Sequence, residues 1–201
     1  MDVSEAVRSA RFWQLGLSTF GIYVVIGGII PNLVPAFIDA GLSMPQAASI
    51  MGIFGMTVIG GRISVGALVD HFWAPAVAAL VMVPAAGACL IIGGGSSSYT
   101  SFALAAAMMG IATGTELDVM SYLVARYFGM GDYPRIYGRA YMFVTAASGT
   151  APLMMGYLHD ATGSYALPMH ISAGLLGLGA IGLLTLGSYP DWERLKLSAA
   201  A

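Results

Sequence analysis

The 201-residue chain is 58% apolar and only 9% charged, with a formal net charge of −2. A water-soluble domain carries roughly 25% charged residues, so these proportions exclude a chain that faces water on all sides and point to lipid as the solvent. The single cysteine, Cys89, excludes an internal disulfide and a multi-cysteine metal site; within its apolar run it reads as a small packing side chain.

The first eleven residues, "MDVSEAVRSAR", mix acids with arginines, and the apolar run after them is too long for the core of a cleavable signal. That run is therefore expected to remain as the first of six spans. The six fall at about 13–38, 45–69, 74–95, 100–125, 138–158 and 166–188, each near the ~20 residues that a helix needs to cross a bilayer. The pieces between them, such as "DAGLSMP", "DHFWAP", "GGGSSSYT", "YFGMGDYPRIYG" and "HDATGSYALP", are rich in turn formers. No β-barrel alternation is present, and lipid otherwise admits only helices. The expected fold is all-α, a polytopic membrane protein whose residues 1–201 form one six-helix domain.

The first span carries Tyr23 near its middle and Pro31 and Pro35 toward its end, where a break or bend is expected. The hydroxyl of Tyr23 points either into a cavity or into the bundle.

The second span, "GMTVIGGRISVGALVDHFW" from Gly55 to Trp73, holds Arg62 in a glycine-rich apolar run. A charge at a helix centre costs about 2.5–3.5 kcal/mol on insertion scales, so it needs protein or water and a partner. A guanidinium matches a carboxylate in bidentate fashion, which makes Arg62 a candidate for an anionic substrate. A structural pair with Glu116 or Asp118, or snorkelling to the interface, fits the position equally well.

In the fourth span, Gly110 and Gly114 have the spacing of close helix contact. Asp118 lies eight residues before Arg126, as Arg62 lies eight before Asp70, so the two charges share a depth. Glu116, two residues from Asp118, points about 160° away from it, and the two acids cannot form one paired-carboxylate site. Glu116 reads as a proton carrier, because a carboxyl taken from water holds its proton more readily, or as a plain helix–helix contact.

The fifth span contains Gly149 and Pro152, and ends in Gly156-Tyr-Leu-His-Asp160. The second ends in Gly66-Ala-Leu-Val-Asp70, ninety residues earlier and on the opposite side. Such an echo suits an inverted three-plus-three repeat.

Of the eight basic residues, all but Arg62 fall at the N-terminus (Arg8, Arg11), around the loop between spans four and five (Arg126, Arg135, Arg139) or in the tail (Arg194, Lys196). The other side of the expected topology has none. The positive-inside rule then places both termini in the cytoplasm, with the chain in the inner or cytoplasmic membrane.

Zinc-protease, nucleophile-elbow and phosphate-loop signatures are absent, and no enzyme activity is expected. His71, His159 and His170 have no ligand spacing, so neither a metal nor another cofactor is expected. Nor is nucleic-acid binding, for want of a basic patch.

These residues carry a family resemblance. "GRISVGALVDHFWAP" is similar to the loop after the second helix of a six-helix half in the major facilitator superfamily, whose pattern is G-x-L-x-D-R-x-G-R-R. Gly66, Leu68 and Asp70 match; His71, Trp73, Ala74 and Pro75 depart, and the cytoplasmic gate implied for Gly66 and Asp70 is poorer in charge. "RFWQLGLSTFGIYVVIGGIIPNLVPAFIDAGLSMPQAASIMGIFG", "GTELDVMSYLVARYFGMGDYPRIYG" and "PLMMGYLHDATGSY" resemble the C-terminal half in the monocarboxylate-transporter and oxalate/formate-antiporter branch.

The resemblance implies secondary transport of a small organic anion, with Arg62 on its carboxylate and with Glu116 and Asp118 as coupling groups or charge partners; Tyr23, from its place in the middle of the first span, is the second candidate for substrate binding. Val58 stands where proton-coupled relatives have an aspartate, and the fifth span lacks the lysine of the oxalate/formate antiporter. A monocarboxylate is therefore favoured over a dianion. The chain supplies one half of such a carrier. The implied partners are a second copy as a homodimer, or a separate N-terminal half, besides the bilayer and the anion. The alternative is a non-transporting membrane fragment or scaffold.

Overall fold

The computed structural model describes residues 1–95 and 98–190; Arg194 and Lys196 lie outside them. All the described regular structure is helical. A short α1 (Val3–Arg8) precedes six long helices: α2 (Ala10–Asp39), α3 (Met44–His71), α4 (Ala74–Gly93), α5 (Tyr99–Phe128), α6 (Tyr133–Thr162) and α7 (Ala166–Leu184).

Local chemistry sets the helix ends. The Asp2 carboxylate accepts from the Val3 amide and starts α1, and Ser9 Oγ accepts from Phe12 to start α2. Gln46 reaches back to the Ser43 amide at 2.9 Å at the head of α3. Gly129 and Gly163, with φ of 76° and 66°, close α5 and α6 in backbone conformations that side chains with a Cβ rarely adopt.

Three expectations are corrected. The turn anticipated over residues 127–138 shrinks to four residues, because Pro134 sits in the first turn of α6, where its missing N–H costs nothing. Of the break or bend expected at Pro31 and Pro35, the break is absent: α2 runs through both prolines, as α6 runs through Pro152. Asn32 Nδ2 donates to Gly28 O at 2.7 Å, binding a carbonyl in the turn that holds Pro31. The last helix also stops four residues short of the expected 188, at Leu184.

By length and apolarity, α2, α3, α4, α5 and α7 can each cross a membrane. Helix α6 is as long as α2, with 30 residues, but carries more polar side chains, among them Thr145, Ser148 and Thr150.

The strongest packing runs in the order α3–α5–α4–α7–α2–α6, with lighter contacts of α5 with α6 and of α2 with α3. Exchanging the first three long helices for the last three reverses this order and leaves every packed pair intact. Glycines permit the closest approaches. A Cβ on Gly61 would stand 2.7 Å from Ile111 O, one on Gly110 would stand 2.6 Å from Phe54 O, and one on Gly114 would strike Val58 O. The backbones of α3 and α5 thus touch over about two turns, as the Gly110–Gly114 spacing anticipates. On the opposite flank, a Cβ on Gly28 would lie 3.1 Å from Ala151 O and bring α2 against α6 in the same manner.

The ends of the bundle differ in chemistry. One gathers Arg8, Arg11, Arg126 and Arg135, with Arg126 stacked over Tyr189 at 4.5 Å. At the other, His159 Nε2 meets Asp39 Oδ2 at 3.2 Å and its ring lies against Tyr165, whose hydroxyl donates to Asn32. Helix α3 is the least buried of the five apolar helices, and Met56, Ile59 and Ile63 line its uncovered side.

Candidate functional site

The close approach of α3 to α5 brings Arg62 alongside Asp118. Arg62 Nε meets Asp118 Oδ2 at 2.8 Å, and Nη2 donates to Oδ1 at 3.0 Å, so the pair is bidentate. It is not sealed: the side chains are 66% and 47% exposed. Arg62 has five N–H donors, of which this contact uses two.

The pair stands in an open cleft of about 420 Å³ between α3, α5 and the start of α6. Gly66 and Asp70 continue the α3 wall, Ser121 and Tyr122 the α5 wall, and Met130 and Tyr133 close the side toward α6. Arg62 is the cationic side chain of this lining. An exposed ion pair is worth only about 0.2–1 kcal/mol, so an incoming carboxylate can take the place of Asp118 at little cost.

The other expected residues are placed elsewhere. Glu116 points from the opposite face of α5 toward α2, beside Tyr23, which is 5% exposed. Both line a narrow void of about 20 Å³, room for one water. Neither Tyr23 Oη nor Glu116 Oε2 makes a hydrogen bond within the protein. Thr115 and Val119 of α5 line both this void and the Arg62 cleft, so a single helix separates them. The structure thus gathers Arg62, Asp118, Gly66 and Asp70 in one place and Tyr23 with Glu116 in another.

A tyrosine ladder escapes the sequence reading. Tyr133, Tyr137 and Tyr141 follow at i, i+4 and i+8 along α6, with ring centroids 5.7 Å and 5.9 Å apart. Tyr133 lines the cleft, and Tyr137 is within electrostatic reach of both Asp118 and Tyr23. The spacing was a usable signal, but the first two of the three fell in a stretch read as a turn.

Comparisons with known proteins agree with this architecture. The Major Facilitator Superfamily profile matches residues 5–199. Among curated proteins, monocarboxylate transporter 9 of Pongo abelii is 25% identical over 175 residues, covering 84% of this chain and 33% of that protein. Monocarboxylate transporter 11 of Homo sapiens is 26% identical over 188 residues, covering 87% of this chain and 40% of that protein. Among solved structures, a variant of the E. coli fucose:proton symporter FucP superposes with a TM-score of 0.73 at 18% identity, covering 92% of this chain and 45% of that one. The chain therefore spans about a third of the length of the first curated relatives it matches, and under half of FucP.

Proposed function

The chain belongs to the Major Facilitator Superfamily, and we propose that it is one half of a secondary carrier for a small organic anion, a monocarboxylate, with Arg62 as the carboxylate-binding residue. The observation that carries this reading is the bidentate Arg62–Asp118 pair, held open in a cleft rather than buried as a structural bridge. In the resting site Asp118 occupies the place of the substrate carboxylate. Substrate entry releases Asp118, and the displaced carboxylate either accepts a proton or turns to water. One guanidinium opposed by Asp118 and Asp70 matches a single negative charge better than two. Gly66 and Asp70 border the mouth of the cleft as the cytoplasmic gate, with both termini on that side of the inner membrane.

Tyr23 and Glu116, one helix away, serve coupling rather than first contact with the anion. The enclosed carboxyl is a site where a proton can reside during the cycle. Helix α6 crosses the membrane beside α2, its polar side chains turned toward the transport pathway. The uncovered apolar side of α3 is where the second half docks, supplied by another copy of the chain or by a separate N-terminal half.

The test is uptake of labelled mono- and dicarboxylates into proteoliposomes that contain only this chain, with Arg62→Ala alongside. Saturable monocarboxylate uptake that Arg62→Ala abolishes without unfolding the protein is the expected result. The short span relative to known carriers favours one other reading, a non-transporting membrane fragment or scaffold. Folded protein without uptake, for which Arg62→Ala changes only stability, would support that reading instead.

A further inference from the structure

The Arg62 cleft has more aromatic wall than a short aliphatic acid requires. Tyr122 enters it from α5 and Tyr133 from α6, and Tyr137 stacks behind Tyr133 with ring planes 18° apart. Tyr122 lies one turn beyond Asp118 on the same helix, so its Cα is about 6 Å further along the axis than the carboxylate that Arg62 holds. A carboxylate bound at Arg62 with a six-membered ring attached spans about that distance. Its ring then lies between the two tyrosines.

We propose that the cleft selects monocarboxylates whose body is a planar aromatic ring, with Arg62 holding the carboxylate and Tyr122 and Tyr133 flanking the ring. This rests on the anion-carrier reading and names its substrate class. Val65, Val69 and Met130 also line the cleft and accept any apolar body, so they supply affinity without discrimination. Discrimination comes from the tyrosine rings. They interact with an aromatic neighbour edge-to-face or offset-stacked beyond what the buried area alone gives, and a saturated ring of the same size gains none of this. For one such contact, the difference between matched aromatic and saturated acids is about 2–10-fold in affinity.

Benzoate and cyclohexanecarboxylate are a matched pair, both ionised at neutral pH and similar in volume. Calorimetric titration of the purified full chain with each is the measurement, repeated on Arg62→Ala and on Tyr122→Leu/Tyr133→Leu, with helicity and monodispersity checked for every variant. The expected result is benzoate tighter by about 2–10-fold, the ratio falling to about one in the double variant, and both acids lost in Arg62→Ala. Equal affinities in the unaltered chain, both dependent on Arg62, would overturn the aromatic selection and leave the anion reading standing. A preference that survives the double substitution would overturn its assignment to these two tyrosines. No Arg62-dependent binding of either acid would overturn the anion reading, and this proposal with it.

Discussion

Adding one methyl group at Gly61 tests whether the α3–α5 contact holds the site together. A Cβ there would stand 2.7 Å from both Cα and O of Ile111, whereas ordinary contact begins at 3.4 Å, so about 0.7 Å must be found. The obstructing atoms are backbone, which cannot turn aside as a side-chain tip can. The helices must separate, and overpacking of this kind costs about 1–3 kcal/mol. Gly55, on the same helix, has open space around its added Cβ, so Gly55→Ala gains about 0.5–1 kcal/mol of helix propensity with no clash. The same propensity gain applies at Gly61 and cancels, so the gap expected between the two variants is about 1–3 kcal/mol. Detergent-titrated unfolding of the purified chain, followed by far-UV circular dichroism, reads it directly. Gly61 is next to Arg62 in sequence, so the same separation lengthens the ion-pair contacts of 2.8 and 3.0 Å and loosens the hold of Asp118 on the guanidinium. Equal stability of the Gly61→Ala and Gly55→Ala proteins would refute the backbone-contact argument.

Asp118→Asn removes the internal competitor of the substrate, so monocarboxylate affinity should rise by about 1.5–5-fold, the equivalent of an exposed ion pair; titration calorimetry measures this. Glu116→Gln preserves shape while removing a titratable proton one helix away from Arg62, so binding should persist while acceleration of uptake by an inward proton gradient is lost. At the end of the bundle, burial first, and then the Asp39 and Asp160 carboxylates, hold the Tyr165 hydroxyl above its ordinary pKa. A group raised on folding stabilises the protein below its unfolded pKa and loses that contribution as pH rises, so stability should fall above about pH 10, and less steeply in Tyr165→Phe. Unfolding titrations across the alkaline range would show this.

The long helices were legible because lipid imposes a length and an apolarity that few other structures share. Their ends were less so. Residues 133–138 look like a loop by composition, yet Pro134 sits where a helix tolerates it best, and α1 rests on a single Asp2 cap. Depth could be counted along the chain, which put Arg62 level with Asp118. Which of the two acids faces Arg62 could not be counted, because i and i+2 lie on nearly opposite faces and only the packing of α3 on α5 decides between them. The enclosure of Glu116 beside Tyr23 depends on the same packing. The tyrosine ladder was present as a four-residue spacing but hidden by the misplaced start of α6.

The contact of bare backbone between α3 and α5 also divides events by timescale. With no side chain interposed, the two helices form one stiff plate, and Arg62 and Asp118 cannot be drawn apart by sliding one helix on the other. A change of partner at Arg62 is then a rotamer event of picoseconds to nanoseconds, while tilting the plate against the rest of the bundle belongs to microseconds or slower. A change of partner at Arg62 and any larger rearrangement are thus separated in time, and the first can be complete long before the second begins.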